Sequence, residues 1–444
     1  MKLTRKRASV LILTGALFVL GMALAPQAGA FTPFKGNLNT FDPHKQIIPT
    51  GDTIKVGIFW PFSGPGGING KLFWCTVGWV VHDINTQGGI WVDGRKKLIQ
   101  MIIGDHQMKP SVAMRVATRL CVEDKVDVII GTSGTHLQLI GQKVAAKYKK
   151  IFLNVASLSP MLMDKKNFNR YTFRSVATTE VYAKALARYY VGRPEKRFYI
   201  LCQDYAYGHA FANAFKAALK KYRPDAKIVG EDFHKLFLRD FAPYLAKVKG
   251  ARADVIVTGD WTPDIDNMQK QSRQLGMKIP IAGLFVDNPI PLAAIGGPNG
   301  VGMVPVHTFI GDPNNKAMMK FMYLWNKQWK RWKAPLYNTE LFTWPGGILA
   351  HSTLAAYWLF DVIQRAKTVN PEKIIKIFEG DTYTVAGHTM HMRKCDHQGI
   401  QNLYLTSLIF PNKWLKKAAA AGKVITIEAK WATPAKPAGL ARCK

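Results

Sequence analysis

The sequence predicts an α/β protein whose parallel sheets form two lobes. Three observations carry that expectation. Short apolar runs alternate with segments of helical period, the pattern of a parallel sheet covered on both faces. The alternation runs through residues 54–175 and restarts at about residue 180. The first apolar run, residues 54–60, ends abruptly in a loop of Pro, Ser, Gly and Asn, and the carboxyl edge of an open α/β sheet is where ligands bind.

The chain has 444 residues, enough for a large core in two or three domains. Its 48% hydrophobic and 20% charged content is that of an ordinary globular protein and excludes a disordered chain. Near the start, Lys2, Arg5, Lys6 and Arg7 precede an apolar run over residues 8–25 and then Ala28-Gly29-Ala30. Basic, apolar and small-residue regions in that order make a secretory signal peptide over residues 1–30, with the mature chain starting near Phe31. A membrane anchor is the competing reading, but the run is short for a span. No Cys follows it, which argues against a lipid anchor.

Lys and Arg total 61 against 29 Asp and Glu, a formal charge of +32. The basic residues are spread along the whole chain, with no zinc-finger or basic-zipper pattern, and export takes the protein away from nucleic acid. An anionic ligand, or weak contact with an anionic membrane surface, suits an exported protein better. The five cysteines are Cys75, Cys121, Cys202, Cys395 and Cys443. An odd number leaves at least one thiol unpaired within the chain. Cys202 sits in an apolar run and reads as a small buried hydrophobe; Cys395 with Cys443 is one pairing that would close the C-terminal tail.

In chain order, residues 31–52 form an irregular leader. After the opening strand and loop, residues 71–85 read as a helix with Leu72, Cys75, Trp79 and His82 at helical spacing, stopped by Gln87-Gly88-Gly89. A strand follows at 98–103, then a helix at 111–122 capped by Ser111. Strands are expected at 127–131, 151–156 and 171–175, with a helix opened by Thr132-Ser133-Gly134-Thr135 and running to about Tyr148. The second set comprises helices at 180–190, 209–222 and 263–275 and strands at 198–203, 254–259 and 279–284. The chain then returns near residues 302–307, because the helices at 315–332 and 349–366 have apolar faces still needing a sheet. The resulting boundaries are 53–176 with 306–384 for the first lobe and 177–305 with 385–410 for the second. Residues 411–444, with seven Lys and one Arg, form a solvated basic tail.

Four marks then point to a family. Ser63-Gly64-Pro65 follows the first strand; Asp83-Ile84-Asn85 precedes Gly88-Gly89-Ile90; Tyr205-Ala206-Tyr207-Gly208 follows the strand at 198–203; and Arg393 stands near Asp396-His397-Gln398. In that order and spacing the chain, from about Thr53 to Phe410, resembles the periplasmic ligand-binding receptors of ABC importers, in the group with the leucine/isoleucine/valine, amide and urea receptors. The resemblance implies two Rossmann-like lobes joined by a three-crossover hinge, with a ligand cleft between them that closes on binding. It also implies a periplasmic monomer, a membrane permease as partner, and neither cofactor nor chemistry.

Residue by residue, the resemblance gives a mixed cleft. Thr135 falls where amino-acid receptors use a hydroxyl and N–H for the ligand carboxylate, and Ala156 where a backbone group serves. Leu158 replaces a usual Ser or Thr, though Ser157 and Ser159 flank it. Thr179 and Phe285 lie where acidic residues hold the amino group, with Asp287 or Glu180 as substitutes if the alignment shifts by one or two residues. Tyr207 matches a cleft aromatic, Trp261 lies where Tyr is common, Asn69 replaces an aromatic, and Phe62 and Ser63 face the ligand. A ligand ammonium in a dry cleft needs acidic or several neutral acceptors. The pattern therefore favours a small carboxylate or aromatic compound without an amine over a branched-chain amino acid.

Other readings compete at single motifs. GPGGING, residues 64–70, lacks the Lys-Ser/Thr of a phosphate loop. His388, His391, Cys395 and His397 are close enough in sequence for zinc, but as strand and turn they put His388 and His391 on opposite faces. Trp325, Trp329 and Trp332 share a helical stripe that suits a membrane surface or, preferably, packing on the protein's own sheet. No esterase elbow, zinc-protease helix or local Cys/His signature marks an enzyme. A sensor reporting to a membrane kinase has the same sequence features as a transport receptor.

Overall fold

A computed structural model describes residues 30–64, 66–331 and 347–443. Residues 1–29, Pro65 and Trp332, on which parts of the signal-peptide, motif and tryptophan-stripe expectations rest, lie outside them. No helix among the described residues is long and apolar enough to cross a membrane.

The first lobe is built in strand–helix order. It comprises β1 (Ile54–Trp60), α1 (Gly67–Asn85), the hairpin of β2 (Ile90–Val92) and β3 (Arg95–Lys97), β4 (Ile99–Asp105), α2 (Pro110–Val122), β5 (Val128–Gly131), α3 (Thr135–Lys147), β6 (Ile151–Asn154) and β7 (Thr172–Arg174). β5 and β6 are buried at every residue, as continuous apolar strands of a two-sided parallel sheet should be. α2 begins one residue earlier than expected. Its cap is Lys109, without a side-chain bond, and Pro110 stands at the first position, where proline's fixed φ and missing N–H cost nothing.

The second lobe contains α4 (Thr179–Tyr189), β8 (Arg197–Gln203), α5 (Ala206–Tyr222), β9 (Lys227–His234), α6 (Ala242–Gly250), β10 (Val255–Thr258), α7 (Asp264–Gln274), β11 (Ile281–Gly283), α8 (Pro289–Ile295) and β12 (Val304–His307). The chain returns through α9 (Lys316–Trp329), α10 (Gly347–Ala366) and α11 (Pro371–Phe378). It ends with β13 (Thr382–Val385), β14 (His388–Arg393), β15 (Gln398–Gln401), β16 (Leu403–Ile409) and β17 (Ala420–Ile427). The first sheet has the order β13-β14-β15-β7-β6-β5-β1-β4 and the second β17-β16-β12-β11-β10-β8-β9. The chain thus passes between sheets after β7, after β12 and after β15.

These sheets correct the expected boundaries. Val306 and His307 pair with Leu405 and Tyr404 in the second sheet, so the return comes after His307. Residues 388–401, assigned to the second lobe, form β14 and β15 in the first sheet, where Gln398 pairs with Arg174 of β7. The tail is not a solvated appendage: β17 pairs along β16, and a Cys395–Cys443 disulfide joins its end to the turn between β14 and β15. With Cys395 so bonded, and His388 buried while His391 is exposed across β14, the zinc reading loses its ligands.

The leader also departs from an uncommitted strand of coil. Asp83 of α1, fully buried, accepts the backbone N–H groups of Phe34 and Gly36, each at 2.6 Å, and the Tyr357 hydroxyl at 2.6 Å. Phe34 packs edge-on to Tyr357 at 4.9 Å. Trp325 and Trp329 are buried against Trp79 of α1, with Phe41 of the leader on Trp329. The stripe therefore packs on a helix and the leader, where packing on a sheet was expected.

Polar side chains bind the passages together. Arg174, fully buried, donates Nε to Gln398 at 2.6 Å and Nη1 to the Ser159 carbonyl at 2.7 Å. Burial lowers its pKa to about 10. Gln398 donates to the Val176 carbonyl, and Gln401 to that of Ser175. Arg393 makes a bidentate pair with buried Asp396. Of the Arg393 and Asp396–Gln398 mark, Gln398 thus meets the first passage at Val176, while Arg393 and Asp396 pair in the turn before β15.

Candidate functional site

The carboxyl ends of β1, β5, β8, β10 and β11 open onto one cavity of about 120 Å³, close to the ~150 Å³ at which an apolar cavity holds a benzene ring. Such a space suits a single small molecule. The first lobe supplies Trp60, Asn69, Leu72, Phe73, Ser133 to Thr135 and Ala156 to Leu158. The second supplies Tyr205, Tyr207, Trp261, Thr262, Phe285 and Asp287 to Pro289, while His307 and residues 347–349 close the side nearest the passages.

Trp60 ends β1 and stacks on Phe73, ring centroids 3.6 Å apart. It is 1% exposed, and its Nε1 has no hydrogen-bond partner among the described residues. The same holds for Ser133 Oγ, in the loop that leads into α3. Gly134 precedes that helix at φ +85°, and no side chain caps the helix. A side chain there would force a left-handed backbone and press on Leu137 at 3.3 Å. The uncapped helix N-terminus points the positive end of its dipole into the loop, a setting for an anion.

Neighbouring polar groups are occupied. Ser157 donates its hydroxyl to the Thr132 carbonyl at 2.5 Å, and the Ala156 and Ser157 N–H groups both go to Asn154 Oδ1. On the opposite wall, Tyr207 donates to the Gly259 carbonyl at 2.6 Å, and Trp261 Nε1 to the Tyr205 hydroxyl at 2.9 Å. These bonds fix the rings and leave apolar surface for the cleft. Asp287, 4% exposed, holds His307 Nε2 with Oδ1 at 2.8 Å, while its Oδ2 has no partner among the described residues.

A family model described as periplasmic binding protein matches residues 53–412. The chain belongs to that family. It is 26% identical over 286 residues to a Leu/Ile/Val-binding protein homolog of Brucella abortus, a match covering 61% of this chain and 65% of the relative. Among solved structures, a Rhodopseudomonas palustris solute-binding protein in complex with 3,4-dihydroxybenzoic acid superposes with a TM-score of 0.72 at 22% identity. That match covers 85% of this chain and 98% of the other. A leucine-, isoleucine-, valine-, threonine- and alanine-binding protein of Brucella ovis, in a closed conformation, also gives 0.72, at 20% identity, covering 87% and 97%. The fold is that of the two-lobed solute-binding proteins, and the family is one of binding proteins and not of enzymes.

Of the residues expected at the cleft, Asn69, Thr135, Ala156, Ser157, Tyr207, Trp261 and Phe285 line it. Phe62, Ser63 and Thr179 do not appear in its wall. Phe62 N–H and Ser63 Oγ instead bind Asp105 at 2.8 and 2.6 Å, shaping the loop after β1. Thr179 starts α4, and its N–H meets the Leu158 carbonyl at 3.1 Å. Trp60, Phe73, Ser133, Tyr205, Thr262, Asn288, His307 and residues 347–349 were not anticipated. Trp60 and Ser133 had a usable signal, since each stands at the carboxyl end of a strand. Residues 347–349 come from a distant helix and carried none.

Proposed function

We propose that this protein is an extracytoplasmic receptor for a small organic carboxylate of aromatic character, held between the lobes by hinge closure and passed to the membrane permease of an ABC importer. The observation that carries this reading is the cleft wall itself. Trp60, Phe73, Tyr207, Trp261 and Phe285 surround a space of one-ring size, with Ser133 and Thr135 at the α3 N-terminus on one side. Aromatic walls give area and a fixed orientation, and convergent polar groups select the charged end. The dihydroxybenzoate-bound relative is consistent with this choice. The basic–apolar–small segment at residues 1–30 supports export, and the family supports a permease as recipient.

Asp287 favours a second reading, an α-amino acid whose ammonium it would hold, as the name of the Brucella ovis relative suggests. A thermal-shift and calorimetry panel separates the two. Benzoate and phenylacetate should stabilise the protein while leucine and valine do not. Stabilisation by leucine alone would replace the first reading with the second.

A further inference from the structure

The second-lobe wall contains a buried acid with one oxygen committed and the other idle. Asp287 Oδ1 is bound to His307, the last residue of β12, where the second passage begins. Oδ2 is buried without a partner among the described residues. A buried acceptor left unsatisfied is costly, more so when charged, so the site gains from a ligand that brings a donor. The first-lobe wall shows the opposite need: Trp60 Nε1 is an idle donor and Ser133 Oγ an idle hydroxyl. The two walls together ask for a molecule with an acceptor at one end and a donor at the other.

We propose that Asp287, positioned by His307, selects a ligand bearing a hydroxyl opposite its carboxylate, so that the preferred class is a hydroxylated aromatic carboxylate. This rests on the aromatic-carboxylate reading above. A hydroxyl has one hydrogen to give, matching the single idle oxygen. An ammonium has three, whereas on this wall Asp287 Oδ2 is the one fully buried side-chain oxygen without a partner among the described residues. The hydroxyl also leaves the Asp287–His307 bond intact.

The test is calorimetric titration of the mature chain with benzoate, 3- and 4-hydroxybenzoate, 4-methoxybenzoate and phenylalanine, on wild type, Asp287→Leu and Asp287→Asn. At least one hydroxybenzoate should bind wild type ten or more times more tightly than benzoate or the methoxy acid. Asp287→Leu should erase that preference, and Asp287→Asn should keep part of it. If Asp287→Leu does not fold, the wild-type comparison of hydroxy with methoxy acid decides alone. Equal binding of benzoate and both hydroxybenzoates, or a preference that survives Asp287→Leu, overturns this inference and leaves the carboxylate reading standing. Binding of phenylalanine with no binding of any benzoate overturns both.

Discussion

Arg174 donates its Nε to Gln398 at 2.6 Å across 224 residues of sequence, tying the last residue of β7, where the first passage begins, to the first residue of β15, the strand that leads into the third. Replacing Arg174 with Met strips Gln398 and the Ser159 carbonyl of a buried partner. The variant should lose roughly 2–4 kcal/mol of stability, read by urea denaturation. It should also loosen the hinge, seen as a larger radius of gyration in small-angle scattering without ligand. An unchanged midpoint and radius would deny Arg174 this role.

Asp83 gathers the leader. Its carboxylate accepts two backbone N–H groups and the Tyr357 hydroxyl, so Asp83→Ala leaves one buried and two half-buried donors without that acceptor. A loss of roughly 2–4 kcal/mol is expected. Limited proteolysis should then cut within residues 31–50 at protease levels that leave wild type whole.

The Cys395–Cys443 disulfide closes a loop with a sequence separation of 48. Cys443→Ser should cost about 2–4 kcal/mol and expose residues 428–443 to carboxypeptidase. Reducing agent should shift wild type towards the same melting temperature and leave the variant unmoved.

Asp264 carries a pH signature. Fully buried, it accepts from Gln203 Nε2 at 2.6 Å and the Phe237 N–H at 3.0 Å, and burial pushes its pKa up to about 6. The folded state therefore holds this proton more tightly than the unfolded chain, whose carboxyl titrates near 4. The stability it contributes is full below about pH 4 and lost as pH rises through about 6. Asp264→Asn should gain on wild type between pH 4 and 7, by roughly 1–3 kcal/mol, measured by melting across that range. A constant difference would exclude the titration.

Much of this fold was legible because β1, β5 and β6 are continuous apolar runs with sharp polar ends. The lobes could be counted from the restart of the alternation. β14 and β15 were misassigned for a physical reason: they are short and half-exposed or polar, and their place is set by Gln398 meeting Arg174. Such pairing leaves no local trace. At the cleft, the resemblance pointed to Thr135, Tyr207, Trp261 and Phe285, which line the cavity. It could not show that Ser63 and Ser157 spend their hydroxyls on Asp105 and Thr132. Trp60 was legible only through its place, the last of a strand.

The disulfide has a mechanical meaning beyond its stability. The covalent ring that it closes leaves the first sheet after β15, runs through the second as β16 and β17, and comes back to the turn it started from. The segment beyond β17 is thereby a further connection between the two sheets, beside the three passages of the chain, and its far end is fastened by a covalent bond.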